Sequence, residues 1–217
     1  MNIEYVGNEV IFSGVCPDKL HVKDYLNDSI DTITFKDFDT SEVVDMSHMF
    51  DGCKHISTIL GLDTFNTSNV KNMTCMFAEC EAVSKCIDHL NNWNVRNVKT
   101  MDVMFFFISS LRSVDLSKWE TPSLEKCNSM FCLCFDLSYL RLDNFGCSKY
   151  LKDVSDMFNG CELKTLVMPK IHITEFTDTV PLLDIEGFDD YEIPDEYMCG
   201  IIQQKYTEFL LSKCVDC

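Results

Sequence analysis

The stretch Val43-Val44-Asp45-Met46-Ser47-His48-Met49-Phe50-Asp51-Gly52-Cys53 decides the fold of this chain, because the chain writes it again and again. Its Met-Phe pair returns at Met76-Phe77, Met104-Phe105, Met130-Phe131 and Met157-Phe158, at intervals of 27, 28, 26 and 27 residues. Six residues before each pair stands an aliphatic anchor: Val43, Val70, Val98, Leu124 and Leu151. Self-similarity at such a period marks units that bury their apolar faces only against their neighbours, the signature of a solenoid.

Upstream of the anchors the pattern continues. Five places earlier come Phe38, Phe65, Trp93 and Trp119, and six places before Leu151 comes Phe145. Further back lie alternating apolar pairs: Ile33 and Phe35, Leu60 and Leu62, Val114 and Leu116, Leu140 and Leu142, Leu166 and Met168. Alternation predicts a short strand with its intervening side chain turned outward. One unit breaks the rule with Asp88 and Leu90, which predicts a bulge near Cys86-Ile87-Asp88.

Downstream of the aromatic, polar turns such as Asp39-Thr40-Ser41 lead into each anchor. The spacing Val43, Met46, Met49, Phe50 is i, i+3, i+6, i+7 and predicts a short helix with these four residues on one face. The residues three places after each Met-Phe pair form a column of their own: Cys53, Cys80, Ile108, Cys134 and Cys161. Ile108 shows that the slot takes an apolar group of small or medium size, so these thiols are core and not metal ligands.

The ends differ from the middle. Ile3–Val6 and Glu9–Phe12 flank Gly7-Asn8, which predicts a hairpin. Residues 184–196 carry Asp184, Glu186, Asp189, Asp190, Glu192, Asp195 and Glu196 at spacings that do not match a calcium loop. Pro194 then opens a predicted helix whose apolar face is Tyr197, Ile201, Ile202, Phe209 and Leu210. The expected organisation is a single domain over 1–217: an N-terminal cap at 1–32, repeats at 33–170, and an acidic connector with a capping helix at 171–217.

The formal net charge of −17 excludes a nucleic-acid binder that relies on a basic footprint. No apolar run is long enough to span a bilayer, and Met1–Tyr5 lacks the basic start and apolar stretch of a secretion signal. Thirteen cysteines, an odd number, cannot all pair within the chain. Together these point to reduced thiols and an intracellular, cytoplasmic setting.

The run Phe-Asp-Thr-Ser-x-Val-x-x-Met-x-x-Met-Phe-x-x-Cys at Phe38 to Cys53, repeated with Asn66 for the acid at Phe65 to Cys80, resembles the BspA-like leucine-rich repeat. That family also covers a domain of unknown function common in mycoplasma lipoproteins. The resemblance spans about 33–168 and implies an α/β repeat fold. That fold is a right-handed leucine-rich-repeat solenoid with one short parallel strand and one short helix per 26–28-residue coil. A hairpin cap closes its N-terminal end and a helical cap its C-terminal end. Similar proteins occur as bacterial and protist surface adhesins, and as sets of paralogues in large DNA viruses of amoebae.

For function, strands stacked about 4.8 Å apart give a face about 25–30 Å long. Its expected outward row is Thr34, Gly61, His89, Asp115, Arg141 and Val167, small and mixed in charge. Binding through this row is the expectation, and a plain solvated sheet is the alternative. None of the five histidines sits in a motif with a nucleophile or an orienting carboxylate, and there is no phosphate-binding glycine loop. Cys214 and Cys217 are expected as exposed thiols, with an intermolecular disulfide or a shared metal as the alternative. The chain is therefore expected to be a non-enzymatic interaction or scaffold protein with a protein partner and no cofactor. The alternatives are a structural, minor-capsid type component of a large DNA virus particle and, third, a surface adhesin without its leader.

Overall fold

A computed structural model describes residues 1–146, 148, 150–163 and 165–167. Strands β1 (Asn2–Val6) and β2 (Glu9–Val15) form an antiparallel hairpin across Gly7-Asn8. β2 then pairs in parallel with β3 (Thr32–Asp39), and β3 with β4 (Thr58–Leu60). A second sheet consists of β5 (Ser113–Asp115), β6 (Tyr139–Arg141) and β7 (Thr165–Val167), all parallel and in register. The pairing of β2 with β3 joins the cap to the first repeat, and each later parallel pairing joins one repeat to the next, so residues one period apart lie side by side.

Between the two sheets the strand is replaced. Glu81–Lys85 forms a 3-10 turn and Ile87–Leu90 a single-turn helix, α1. The bulge expected at Cys86-Ile87-Asp88 is thus corrected to a helix. A strand here would point Asp88 into the core, and a buried carboxylate without a partner is costly. The helix instead turns Ile87 and Leu90 inward and leaves Asp88 and His89 exposed.

The anchor segments also differ from expectation. Val43–Phe50 and its copies are successive turns and not helices. In the first copy alternate N–H groups leave the unit: Met46, His48, Phe50 and Gly52 donate to the carbonyls of Asn72, Thr74, Met76 and Ala78 at 2.8–2.9 Å. The N–H groups of Met49, Asp51 and Cys53 fold back onto Met46, His48 and Phe50 at 3.2–3.3 Å. Ser47 N–H is held by the Asp45 carboxylate at 2.8 Å. Every backbone donor from 46 to 53 is therefore satisfied, half of them by the neighbouring unit. A helix would consume these donors internally and lose the ladder between units. Three-residue turns still bring Val43, Met46, Met49 and Phe50 inward, so the same spacing serves both structures.

This turn geometry requires left-handed backbone at two columns: His48, Cys75, Val103, Ser129 and Asp156 have φ of +53° to +61°, and Gly52, Glu79, Phe107, Leu133 and Gly160 have φ of +54° to +80°. The ladder runs through all five copies, with Asp45, Asn72, Thr100, Lys126 and Asp153 paired in parallel in turn. It crosses the unit whose strand is lost.

The core lies between the strands and the turns, as the contact of Phe35 with Phe50 at 5.8 Å shows. Phe50, Phe77, Phe105, Phe131 and Phe158 stack ring on ring at 5.1–6.2 Å along the repeat axis. The second column, Phe38, Phe65, Trp93, Trp119 and Phe145, is buried as well. Buried Thr40 donates to Asn66 O and accepts from Asn66 N–H, and Thr67 donates to Asn94 O, so polar groups inside the stack are partnered. The expected C-terminal helix and its acidic connector, together with Met168, lie outside the described residues.

Candidate functional site

The expected outward row divides. Asp115, Arg141 and Val167 stand side by side on the second sheet in strict register, each half-buried. Thr34 stands on the first sheet, where its partner is Leu60 and not Gly61. In that unit Ile59 points inward and Leu60 is 50% exposed, one residue out of step with the expected Leu60 and Leu62 pair. Ile59 aligns with Ile33 across the parallel pairing, and that contact sets the register.

Gly61 is past the strand end, with φ +88°, where a Cβ would lie 2.3 Å from the carbonyl oxygen of Phe35. It is a close-approach glycine and offers no outward side chain. His89 is exposed but belongs to α1, off the strand row. Cys214 and Cys217 lie outside the described residues.

The electrostatics of the surviving row are largely internal. Asp115 accepts the N–H of Ser117 at 2.9 Å and the amide of Asn91 at 3.5 Å. Partial burial pushes its carboxyl up, but the Ser117 hydrogen bonds, with the Arg141 and Lys118 charges, hold it below the usual aspartate value. Arg141 forms a two-pronged contact with Asp143, through Nε at 2.6 Å and one terminal nitrogen at 3.4 Å. The hydrogen bond to Asp143 is the main cause holding this guanidinium above its ordinary value. A partner at this row meets charges already oriented by their neighbours.

The thiol column is chemically quiet. Cys53, Cys80, Cys134 and Cys161 are all buried. Burial pushes the Cys53 and Cys134 thiols up to about 12, which keeps them neutral at physiological pH. Cys134 and Cys161 donate to the carbonyls of Phe105 and Phe131 at 3.0 Å, so each thiol also ties its unit to the one before. Among the described residues no group of three or more His, Cys, Asp or Glu side chains is placed to hold a metal ion. No described helix is long and apolar enough to cross a membrane.

Two features were missed by reading outward positions alone. Glu81 reaches one unit forward and accepts both N–H groups of Ser109 and Ser110 at 2.9 Å, together with both hydroxyls. Burial works against its charge, yet the Ser110 and Ser109 hydrogen bonds hold the carboxyl below the usual glutamate value. A glutamate one period ahead of a Ser-Ser pair was the available signal. The second feature is a group of exposed aromatics, Phe107 at 41% and Phe135 at 44%, whose rings meet edge to face at 6.0 Å.

Parallel, in-register repeats around a stacked aromatic core define the class of this chain as a repeat protein. A family model described as "Mycoplasma protein of unknown function, DUF285" matches it twice, over residues 22–139 and 61–168. The chain belongs to that family. No curated protein and no solved structure matches it.

Proposed function

We propose that this chain is a non-catalytic protein–protein interaction or scaffold protein, built as a right-handed BspA-like leucine-rich-repeat solenoid. The observation that carries this reading is the in-register row Asp115, Arg141 and Val167 on a parallel sheet backed by an uninterrupted core. Repeat proteins with such an architecture present extended surfaces to partners rather than enclosed reaction sites. The buried, neutral thiols support the same view, since they supply neither nucleophiles nor ligands.

Pull-down from its native host with the full chain tests the proposal. Partner capture by the wild type that is lost in the Asp115→Arg, Arg141→Glu double variant supports binding through the strand row. Undiminished capture by the double variant removes that row from the interface.

A further inference from the structure

The first sheet ends at β1, which is left as an open edge. At the other end of that sheet and at the near end of the second, β4 and β5 lie against the turn and helix of the second repeat. β1 joins β2 through the two-residue turn Gly7-Asn8, with Gly7 at φ +62°. In such a hairpin the closing pair, Val6 and Glu9, exchanges backbone hydrogen bonds, and every second pair after it does the same. Asn2, Glu4 and Val6 therefore direct their backbone groups to β2, whereas those of Ile3 and Tyr5 point away from the sheet. No described residue bonds to these outward groups. Strand edges of this kind are usually guarded by lysine, proline or a bulge. β1 has none of the three: it reads Asn-Ile-Glu-Tyr-Val, its register with β2 is unbroken, and Tyr5 and Val6 are 53% and 49% exposed.

The edge is self-complementary. Ile3 and Tyr5 lie opposite Phe12 and Val10, both fully buried, so they share the core-side face, and Asn2 and Glu4 share the other. A second copy related by a two-fold axis through the sheet sets strand against strand in antiparallel and like face beside like face. Pairing centred on Glu4 puts two carboxylates opposite one another with Cα atoms about 4.5 Å apart. Pairing centred on Tyr5 puts Glu4 opposite Val6 and runs Ile3 into the Gly7 turn. Pairing centred on Ile3 avoids both faults. The two Ile3 residues exchange both backbone bonds, and the Tyr5 N–H meets the Met1 carbonyl of the second copy. Each Glu4 carboxylate then lies beside the Asn2 amide of the second copy, where it accepts a hydrogen bond.

We propose that β1 is the contact through which two copies of this chain join, antiparallel and centred on Ile3, so that two four-stranded sheets become one of eight strands. This goes beyond the strand-row reading and uses neither Asp115 nor Arg141. The net charge of −17 on each copy opposes approach at long range, so the dimer tightens as salt is added.

Sedimentation velocity of the full chain, run under reducing conditions over a concentration series, provides the test. The expected result is a reversible monomer–dimer equilibrium that shifts towards dimer at higher salt. Asn2→Glu places a carboxylate opposite each Glu4 and is expected to weaken the dimer about five-fold or more, because the contact occurs twice. Asn2→Lys places an ammonium there and is expected to tighten it about five-fold. Asn2 is exposed, so both variants keep the unfolding midpoint of the wild-type monomer. Ile3→Pro removes the central N–H, which no bond inside the monomer uses, and is expected to abolish the dimer while the hairpin persists. A chain that stays monomeric at every concentration overturns the proposal, in favour of a solvated edge or a strand of another protein. A dimer of equal affinity in both Asn2 variants overturns it in favour of another surface. The Asp115→Arg, Arg141→Glu variant is expected to dimerise as the wild type does, and loss of the dimer there also overturns it.

Discussion

The indole N–H of Trp119 donates to the backbone carbonyl of Leu90 at 2.7 Å, inside the core and one repeat away. Trp93 makes the same bond to Leu62 at 2.9 Å. Each tryptophan therefore combines a large apolar body with one polar tie to the unit before it. Replacing Trp119 by phenylalanine keeps an aromatic ring but removes this tie between units, while the backbone N–H of Trp93 still donates to the Leu90 carbonyl at 3.0 Å. The expected loss for that hydrogen bond is about 0.5–1.5 kcal/mol of unfolding free energy, read from urea titration.

The phenylalanine stack is the structural spine. Phe105 lies between Phe77 at 5.8 Å and Phe131 at 5.2 Å, with no exposure to solvent. Phe105→Ala is expected to cost about 3–5 kcal/mol. Phe105→Asp adds an unpaired buried charge and is expected to unfold the array. Far-ultraviolet circular dichroism and limited proteolysis report this directly. A folded, monomeric Phe105→Asp protein would refute the repeat register.

Glu81 couples stability to acid. Its folded-state carboxyl lies below the ordinary value, because Ser109 and Ser110 hydrogen bonds outweigh its burial. A depressed carboxyl contributes stability that is full above the unfolded-state value and disappears as pH falls through the folded-state value. Glu81→Gln should therefore be less stable at neutral pH, and the gap to wild type should close as pH falls through and below the ordinary glutamate range. Denaturation midpoints across that range provide the measurement.

Two glycines predict different costs for the same change. At Gly61 a Cβ would stand 2.3 Å from the Phe35 carbonyl oxygen, and backbone there cannot step aside. At Gly160 the nearest atom is Leu133 Cδ2 at 3.0 Å, the end of a flexible side chain. Both are left-handed, so each alanine variant loses about 1–2 kcal/mol for the backbone alone. Gly61→Ala is expected to lose clearly more than Gly160→Ala in paired thermal denaturation.

One substitution should stabilise. Val103 is β-branched and held at φ +61° in a half-buried turn. Asparagine tolerates that backbone far better. Val103→Asn is expected to raise unfolding free energy by up to about 1 kcal/mol, seen as a higher melting temperature.

The period, the anchors and both aromatic columns were legible from the chain, because each recurs at one spacing and each is an apolar residue with a single place to go. The hairpin at Gly7-Asn8 was legible from local turn chemistry. Outward residues were harder. Thr34, Asp115, Arg141 and Val167 stand on strands, but Gly61 and His89 do not, since alternation in two units is ambiguous and only cross-repeat pairing decides it. The Glu81 clamp and the Phe107–Phe135 contact join residues about one period apart. Neither appears in a local window.

By itself the sequence determined that the chain is a stack of like units with Met, Phe and Cys turned inward, because burial follows side-chain chemistry. Tertiary structure alone decided what the unit of Val43 to Cys53 becomes. Its apolar spacing suits a helix and a run of three-residue turns equally well. The choice fell to the turns because alternate N–H groups at Met46, His48, Phe50 and Gly52 find carbonyls in the next repeat. Those acceptors exist only once the neighbour is in place.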